Sequence, residues 1–221
     1  SSDVCSSDLR IRVFFGPSII KSADSIRVVS DRLKESLVKS GIDKKKVFTL
    51  PIFIGKEEYD EFQDIARKEN TILAVSRLSE EKNLFFLIDV MNKVVDIKQD
   101  TRLVIVGDGP LRISLEQYIK EKRLDQYVDL VGWKNDLNKW YREAGLLVHT
   151  SKYEGYGMVF VEAALQHVPI VSSDVGIMGE VFTSERAAKI CPVGDKECFV
   201  NNIVEVLDNK KEAQRMSDEA Y

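Results

Sequence analysis

Ser151-Lys152-Tyr153-Glu154-Gly155-Tyr156-Gly157-Met158-Val159-Phe160-Val161-Glu162 is the stretch that decides how this chain reads. Leu146-Leu147-Val148-His149 precedes it and Pro169-Ile170-Val171-Ser172 follows. The order is strand, glycine loop, helix, strand. A glycine loop feeding a helix start gathers unpaired backbone N–H groups and the positive end of the helix dipole at one point, which suits a phosphate. Glu154 stands at the mouth of the loop, and Glu162 follows eight positions later on the helix. Two carboxylates so placed would grip hydroxyl groups on either side of that phosphate. Those are the demands of a nucleotide sugar.

Outward from this stretch the chain alternates strictly. Strands are predicted at 71–76, 102–106, 127–131, 146–149, 170–172 and 187–190, with helical segments between them. The clearest helix is 84–97, where Leu84, Leu87, Ile88, Met91, Val94 and Val95 form one apolar stripe. Short buried strands alternating with amphipathic helices imply an α/β fold, a Rossmann-like parallel sheet with helices on both faces. This domain is assigned to residues 56–221. Before it, residues 10–55 read as a separate piece: a strand at 26–29, a helix capped by Ser30 or Asp31, Gly41 as its stop, and a strand at 46–50. Residues 51–55 break the pattern, and 56–70, highly charged, read as linker and short helix. Residues 1–9 are low in complexity and resemble a translated adapter. They are set aside as a non-native scar, on which reading the natural chain begins earlier.

Composition narrows the function. Of 221 residues, 44% are hydrophobic and 31% charged, as in an ordinary globular protein. A net charge of −4 argues against a nucleic-acid binder. No apolar stretch has the length of a membrane span and no secretory signal is visible. Cys5, Cys191 and Cys198 form no disulfide framework and no zinc spacing, so a reducing cytoplasm is the expected location. No metal cluster, Ser-His-Asp set or Cys-His pair assembles.

Ligands of parallel α/β sheets bind at the carboxyl ends of the strands. After the first strand come Arg77 and Lys82. In isolation they read as solvated surface cations, but a strand's carboxyl end favours a binding role. After the second come Gly107-Asp108-Gly109-Pro110, a tight turn with Pro110 suited to a first helical position. A structural turn and a ligand contact fit Gly107 equally. After the third come Gly132-Trp133-Lys134, and Trp133 fits a base-binding edge or an interdomain contact. Gly107-Asp108-Gly109 also begins a dinucleotide fingerprint, with Asp129 downstream. Arg112 occupies the third glycine position and Asp129 falls inside a strand, which excludes a dehydrogenase. His149 reads as a packing or hydrogen-bonding residue at a strand end. His167 stands where a helix stop favours a left-handed residue.

Over residues 26–221 these segments together resemble the carboxyl-terminal half of a GT-B glycosyltransferase of retaining family four. Ala74-Val75-Ser76-Arg77-Leu78 with Lys82 is similar to the family's G-R-L-x-x-x-K segment, with Ser76 in the glycine's place. Val106 to Pro110 resembles its G-x-G-P turn, and the Ser151 to Ala163 stretch its paired-glutamate signature. Pro169-Ile170-Val171 and Gly176 to Glu180 resemble the segment beyond. The resemblance implies that Arg77 and Lys82 neutralise the donor diphosphate and that Gly155, Tyr156, Gly157 and Met158 hold a phosphate. It implies that Glu162 binds the ribose and Glu154 orients the sugar. It also implies that Val131, Trp133 and Lys134 line the base, with Gly107 among the donor-binding residues.

The implied reaction moves a hexosyl group from a nucleotide-diphospho-sugar to a glycan or lipid-linked acceptor with retention, without cofactor or metal. Residues 10–50 would be the last part of an acceptor domain that is mostly missing. The chain is therefore expected to be inactive alone. Peripheral association at the inner membrane face would come through the missing domain. A non-catalytic nucleotide-binding module and a nucleotide-sugar epimerase are the alternatives. Two departures stand out: Ile177 follows Gly176 where the family has a second glycine, expected to alter contacts with the sugar, and His167 replaces a glycine.

Overall fold

A computed structural model of the chain describes residues 20–54, 67–183 and 186–221. The expected scar and most of the expected 56–70 linker lie outside these residues. The chain divides into two compact units, the first ending at Phe53 and the second running Ile54–Tyr221.

In the first unit, strand β1 (Ile26–Val28) pairs in parallel with β2 (Val47–Thr49), and helix α1 (Asp31–Lys39) connects them. Ser30 is the cap: its hydroxyl accepts from the Leu33 amide at 3.3 Å. That bond satisfies one of the first-turn amides the helix leaves open. Gly41 takes the left-handed conformation, φ 92°, just past the helix. Val28, Ile42 and Val47 form a small core of their own.

The second unit is built from β3 (Lys68–Val75), α2 (Leu84–Ile97), β4 (Arg102–Val106), α3 (Arg112–Glu121), β5 (Val128–Gly132), α4 (Asn138–Glu143), β6 (Ala144–His149), α5 (Met158–Leu165), β7 (Ile170–Ser173), β8 (Lys189–Cys191), α6 (Lys196–Asp208) and α7 (Lys210–Ala220). The sheet order is β5-β4-β3-β6-β7-β8, parallel throughout. Pairing starts in the middle at β3, runs out to β5, then returns to the other side of β3 with β6. That reversal creates a crevice between the carboxyl ends of β3 and β6.

Strand periodicity divides the core in two. Ile72 and Ala74 of β3, with Leu103 and Ile105 of β4, face a cluster containing Leu87, Ile88, Met91 and Phe199. Leu73 and Val75 face the other cluster, with Tyr141, Phe160 and Ala163. The whole predicted stripe of α2 is buried, with Val90 added. Each such side chain contributes roughly 1.5–3 kcal/mol on burial.

Three expectations need correction. Strand β3 already begins at Lys68, inside the segment read as linker. Its polar start hides the period-2 pattern: Lys68 is held by Glu143 at 2.6 Å and Asn70 by Asp100. Pro110 lies in the turn before α3, whose first residue is Arg112. Cys191 and Cys198 form a disulfide, with Cα atoms 5.7 Å apart. Cys191 ends β8 and Cys198 lies in the first turn of α6, so the tight connection brings them together. The pairing removes the cysteine argument for a reducing compartment. Among the described residues no helix is long and apolar enough to cross a membrane.

Candidate functional site

The site begins where β3 ends. Arg77 follows it, then a short 3-10 turn (Glu80–Lys82), then Asn83 with φ 55° as the chain swings into α2. On the other side of the crevice, β6 delivers the loop of residues 150–157. Two contacts lock these loops together. Thr150 Oγ1 donates to the Lys82 carbonyl at 3.2 Å, and the Lys152 amide donates to the Glu81 carbonyl at 2.8 Å. The result is an ion pair between Lys82 Nζ and Glu154 Oε1, both mostly shielded from solvent.

Glu154 Oε1 is also met by His149 Nε2 at 2.7 Å and by Ser151 Oγ, which donates to it at 3.1 Å. Burial pushes this carboxyl's pKa up, but hydrogen bonds from His149 and Lys82 outweigh that and hold it down at about 2. Burial also pushes the His149 imidazole below its ordinary value, against the pull of Glu154. At neutral pH the pair is therefore a carboxylate and a neutral imidazole.

Gly157 opens α5 with φ 92°, a left-handed start that glycine adopts without strain. A Cβ there would also lie 2.3 Å from the Phe160 ring. The amides of the first turn of α5 are thus presented at the crevice. One turn along, Glu162 Oε2 accepts from the buried Tyr141 hydroxyl at 2.7 Å. Ile177 donates its amide to the Tyr156 carbonyl at 3.0 Å, and its side chain is buried in the second core cluster. His167 does take the left-handed conformation, φ 54°, that its position demands.

A cavity of about 470 Å³ fills the crevice. Its lining includes Arg77, Lys82, Gly107, Trp133, Lys134, Glu154, Tyr156, Gly157, Met158 and Glu162. Gly155 and Val131, both expected at the site, do not line it. Gly155 borders open space, and Val131 packs partly buried against the second core cluster. Arg77 is exposed and makes no ion pair among the described residues. Among the described residues no group of three or more His, Cys, Asp or Glu gathers to hold a metal. His149 and Tyr141, which hold the two glutamates, were not expected as parts of the site, nor were Asn135, Leu137 and Val159 of the lining.

The family profile described as "Glycosyl transferases group 1" matches residues 55–221. The chain belongs to this family. The amylovoran biosynthesis glycosyltransferase AmsD of Erwinia amylovora is 33% identical over 156 residues, covering 69% of this chain and 44% of the relative. A UDP-Gal:alpha-D-GlcNAc-diphosphoundecaprenol alpha-1,3-galactosyltransferase of Escherichia coli is 25% identical over 183 residues, covering 81% and 47%. This group 1 chain thus spans under half the length of either. Among solved structures, Anabaena HepE in complex with UDP and glucose superposes with a TM-score of 0.81 at 19% identity, over 97% of this chain and 61% of HepE. TarM gives a TM-score of 0.84 at 22% identity, over 92% and 41%. The parallel sheet flanked by helices is the one these GT-B glycosyltransferases share.

Proposed function

We propose that this chain is the donor-binding half of a retaining glycosyltransferase, one that moves a hexosyl group from a nucleoside diphosphate sugar to a glycan or lipid-linked acceptor. The observation that carries the reading is the convergence of Arg77, Lys82, Glu154 and Glu162 on one cavity at the sheet's switch point.

On this reading the diphosphate lies at the start of α5, against the backbone of residues 156–158, which line the cavity. Arg77 and Lys82 flank it. An ammonium carries three donors, so the pairing of Lys82 with Glu154 leaves two for phosphate oxygens. As the nucleoside diphosphate departs, negative charge grows on it, and donors already fixed in place stabilise that charge in the transition state. Two side-chain cations take the part a divalent metal would otherwise play. Glu154 orients the sugar, Glu162 accepts from the ribose hydroxyls, and Trp133 and Lys134 flank the base. The acceptor is assigned to the part of the relatives' length that this chain does not span. Two comparisons support a uridine donor: the E. coli relative is named for UDP-galactose, and HepE was crystallised with UDP.

Titration calorimetry of the chain with uridine diphosphate (UDP) in excess EDTA tests this. UDP should bind and uridine should not. Arg77→Ala with Lys82→Ala should abolish detectable binding, since each charge-assisted contact is worth about 1.5–3 kcal/mol. Equal affinity for uridine and UDP, or binding that needs added magnesium, would overturn the reading.

A further inference from the structure

We infer that His149 is a positioning residue for the donor sugar: its Nε2–H pins Oε1 of Glu154, which leaves Oε2 as the acceptor that carboxylate offers to a sugar hydroxyl. The inference rests on the proposed role of Glu154.

A glutamate carboxylate turns freely about its last torsion, so its two oxygens exchange places unless one is held. In this structure all three donors reach the same atom. Lys82, His149 and Ser151 converge on Oε1, and Oε2 accepts from none of the described residues. The three donors are not equal as holders. The Ser151 hydroxyl rotates, and its contact is the longest, at 3.1 Å. Lys82 is a flexible cation assigned to the diphosphate, and an ammonium that turns toward phosphate loosens its hold on Glu154. His149 cannot follow. It ends a central strand, its side chain is 4% exposed, and its ring stands edge-on to Phe160 at 5.0 Å. A neutral imidazole that donates from Nε2 has Nδ1 as its acceptor, so the contact with a carboxylate fixes the tautomer. Burial keeps this ring neutral near physiological pH, so the geometry does not depend on a titrating charge. The rotation of Glu154 is thereby set by the rigid sheet while Lys82 serves the leaving group.

The test uses the chain itself and two classes of probe, UDP alone and UDP-hexoses (UDP-glucose, UDP-galactose, UDP-N-acetylglucosamine), the tightest of which is carried forward. His149→Phe keeps the ring and removes the donor. It should weaken UDP-hexose binding roughly tenfold, the worth of one charge-assisted hydrogen bond, and leave UDP binding within about twofold. His149→Gln places an amide donor at similar reach and should restore most of the loss. In the wild type, nitrogen-15 NMR of the His149 ring should show the proton on Nε2. Equal losses for UDP and UDP-hexose in His149→Phe would mean a merely structural role and overturn the inference. So would unchanged UDP-hexose binding in His149→Phe alongside a loss in Glu154→Ala, which leaves the role of Glu154 standing. If neither variant alters UDP-hexose binding, the proposed role of Glu154 falls, and this inference with it. Should His149→Phe fail to fold, His149→Gln and the tautomer decide: a proton on Nδ1 refutes the assignment.

Discussion

The hydroxyl of Tyr141 donates to Oε2 of Glu162 across 2.7 Å, from a side chain only 1% exposed. The arrangement parallels that of His149 and Glu154. Each carboxylate of the cavity has one oxygen held by a buried donor, His149 at the end of β6 for Glu154 and Tyr141 on α4 for Glu162. If Glu162 binds the ribose, Tyr141 acts through it. Tyr141→Phe should weaken UDP binding about tenfold, as expected for one hydrogen bond to a charged acceptor. Added to Glu162→Ala it should cost nothing further, because both changes remove one interaction. Calorimetry on the four members of this cycle measures the coupling. Additive losses would show that Tyr141 acts by another route.

The two glutamates should separate by ligand. Glu162→Ala should weaken binding of UDP, whose ribose loses an acceptor. Glu154→Ala should leave UDP nearly unaffected and weaken only the sugar nucleotide. The structural basis is their unequal placement: Glu154 stands before the glycine turn against Lys82, and Glu162 stands beyond it on α5. Parallel titrations with UDP and a UDP-hexose read the difference. Loss of UDP binding to the same degree in both variants would break the division of roles.

Gly107 has φ 142°, and a Cβ built on it would lie 1.8 Å from the Ser76 carbonyl oxygen. Both atoms belong to backbone at the carboxyl ends of neighbouring strands, where nothing flexible can move aside. Gly107→Ala should therefore destabilise the domain by more than about 2 kcal/mol, through steric overlap and a disfavoured dihedral together. Gly155→Ala is the control, because a Cβ there meets nothing within 4 Å. Urea unfolding followed by circular dichroism compares them. Equal midpoints would show that the strand ends can separate.

Legibility in the sequence followed how local each signal was. Helix α2 matched its predicted bounds because an apolar stripe runs its whole length. The places of Arg77 and Glu154 were legible because each comes just after a strand, and that of Glu162 because a glycine turn starts its helix one turn earlier, so chain order alone puts them near the sheet edge. The start of β3 was not, because Lys68 and Asn70 pair with Glu143 and Asp100, far along the chain. Tyr141 could not be read as a site residue either. It lies 21 positions from Glu162, on a different helix, and only the packing of α4 against the second core cluster brings the two together. His149 is nearer, five positions before Glu154. A lone histidine at a strand end still resembles any core histidine until its partner is seen. The Cys191–Cys198 bond was hidden for a different reason: one short spacing gives no framework to recognise.

Acid should weaken this fold in two steps, and the sign follows from the pKa shifts at the Lys82–Glu154–His149 cluster. The carboxyl of Glu154 is held down at about 2 from an ordinary 4.5, so its stabilisation is present above 4.5 and is lost as pH falls toward 2. His149 is pushed below its ordinary 6.5 by burial. Below 6.5 the unfolded chain binds a proton at this residue that the folded chain refuses, so stability falls as pH drops through that value. Both groups act in the same direction, and acid sensitivity begins near neutrality. A single group protonated only in the unfolded state costs about 1.4 kcal/mol per pH unit. Between pH 7.5 and 5.5 this should lower the melting temperature measurably in the wild type. His149→Gln removes that part of the slope and leaves every other titrating group in place. Thermal melts of the two proteins across this range isolate the contribution. Parallel slopes would mean that His149 takes up its proton in the folded state as readily as in the unfolded one, and that its ring is not held neutral against Glu154.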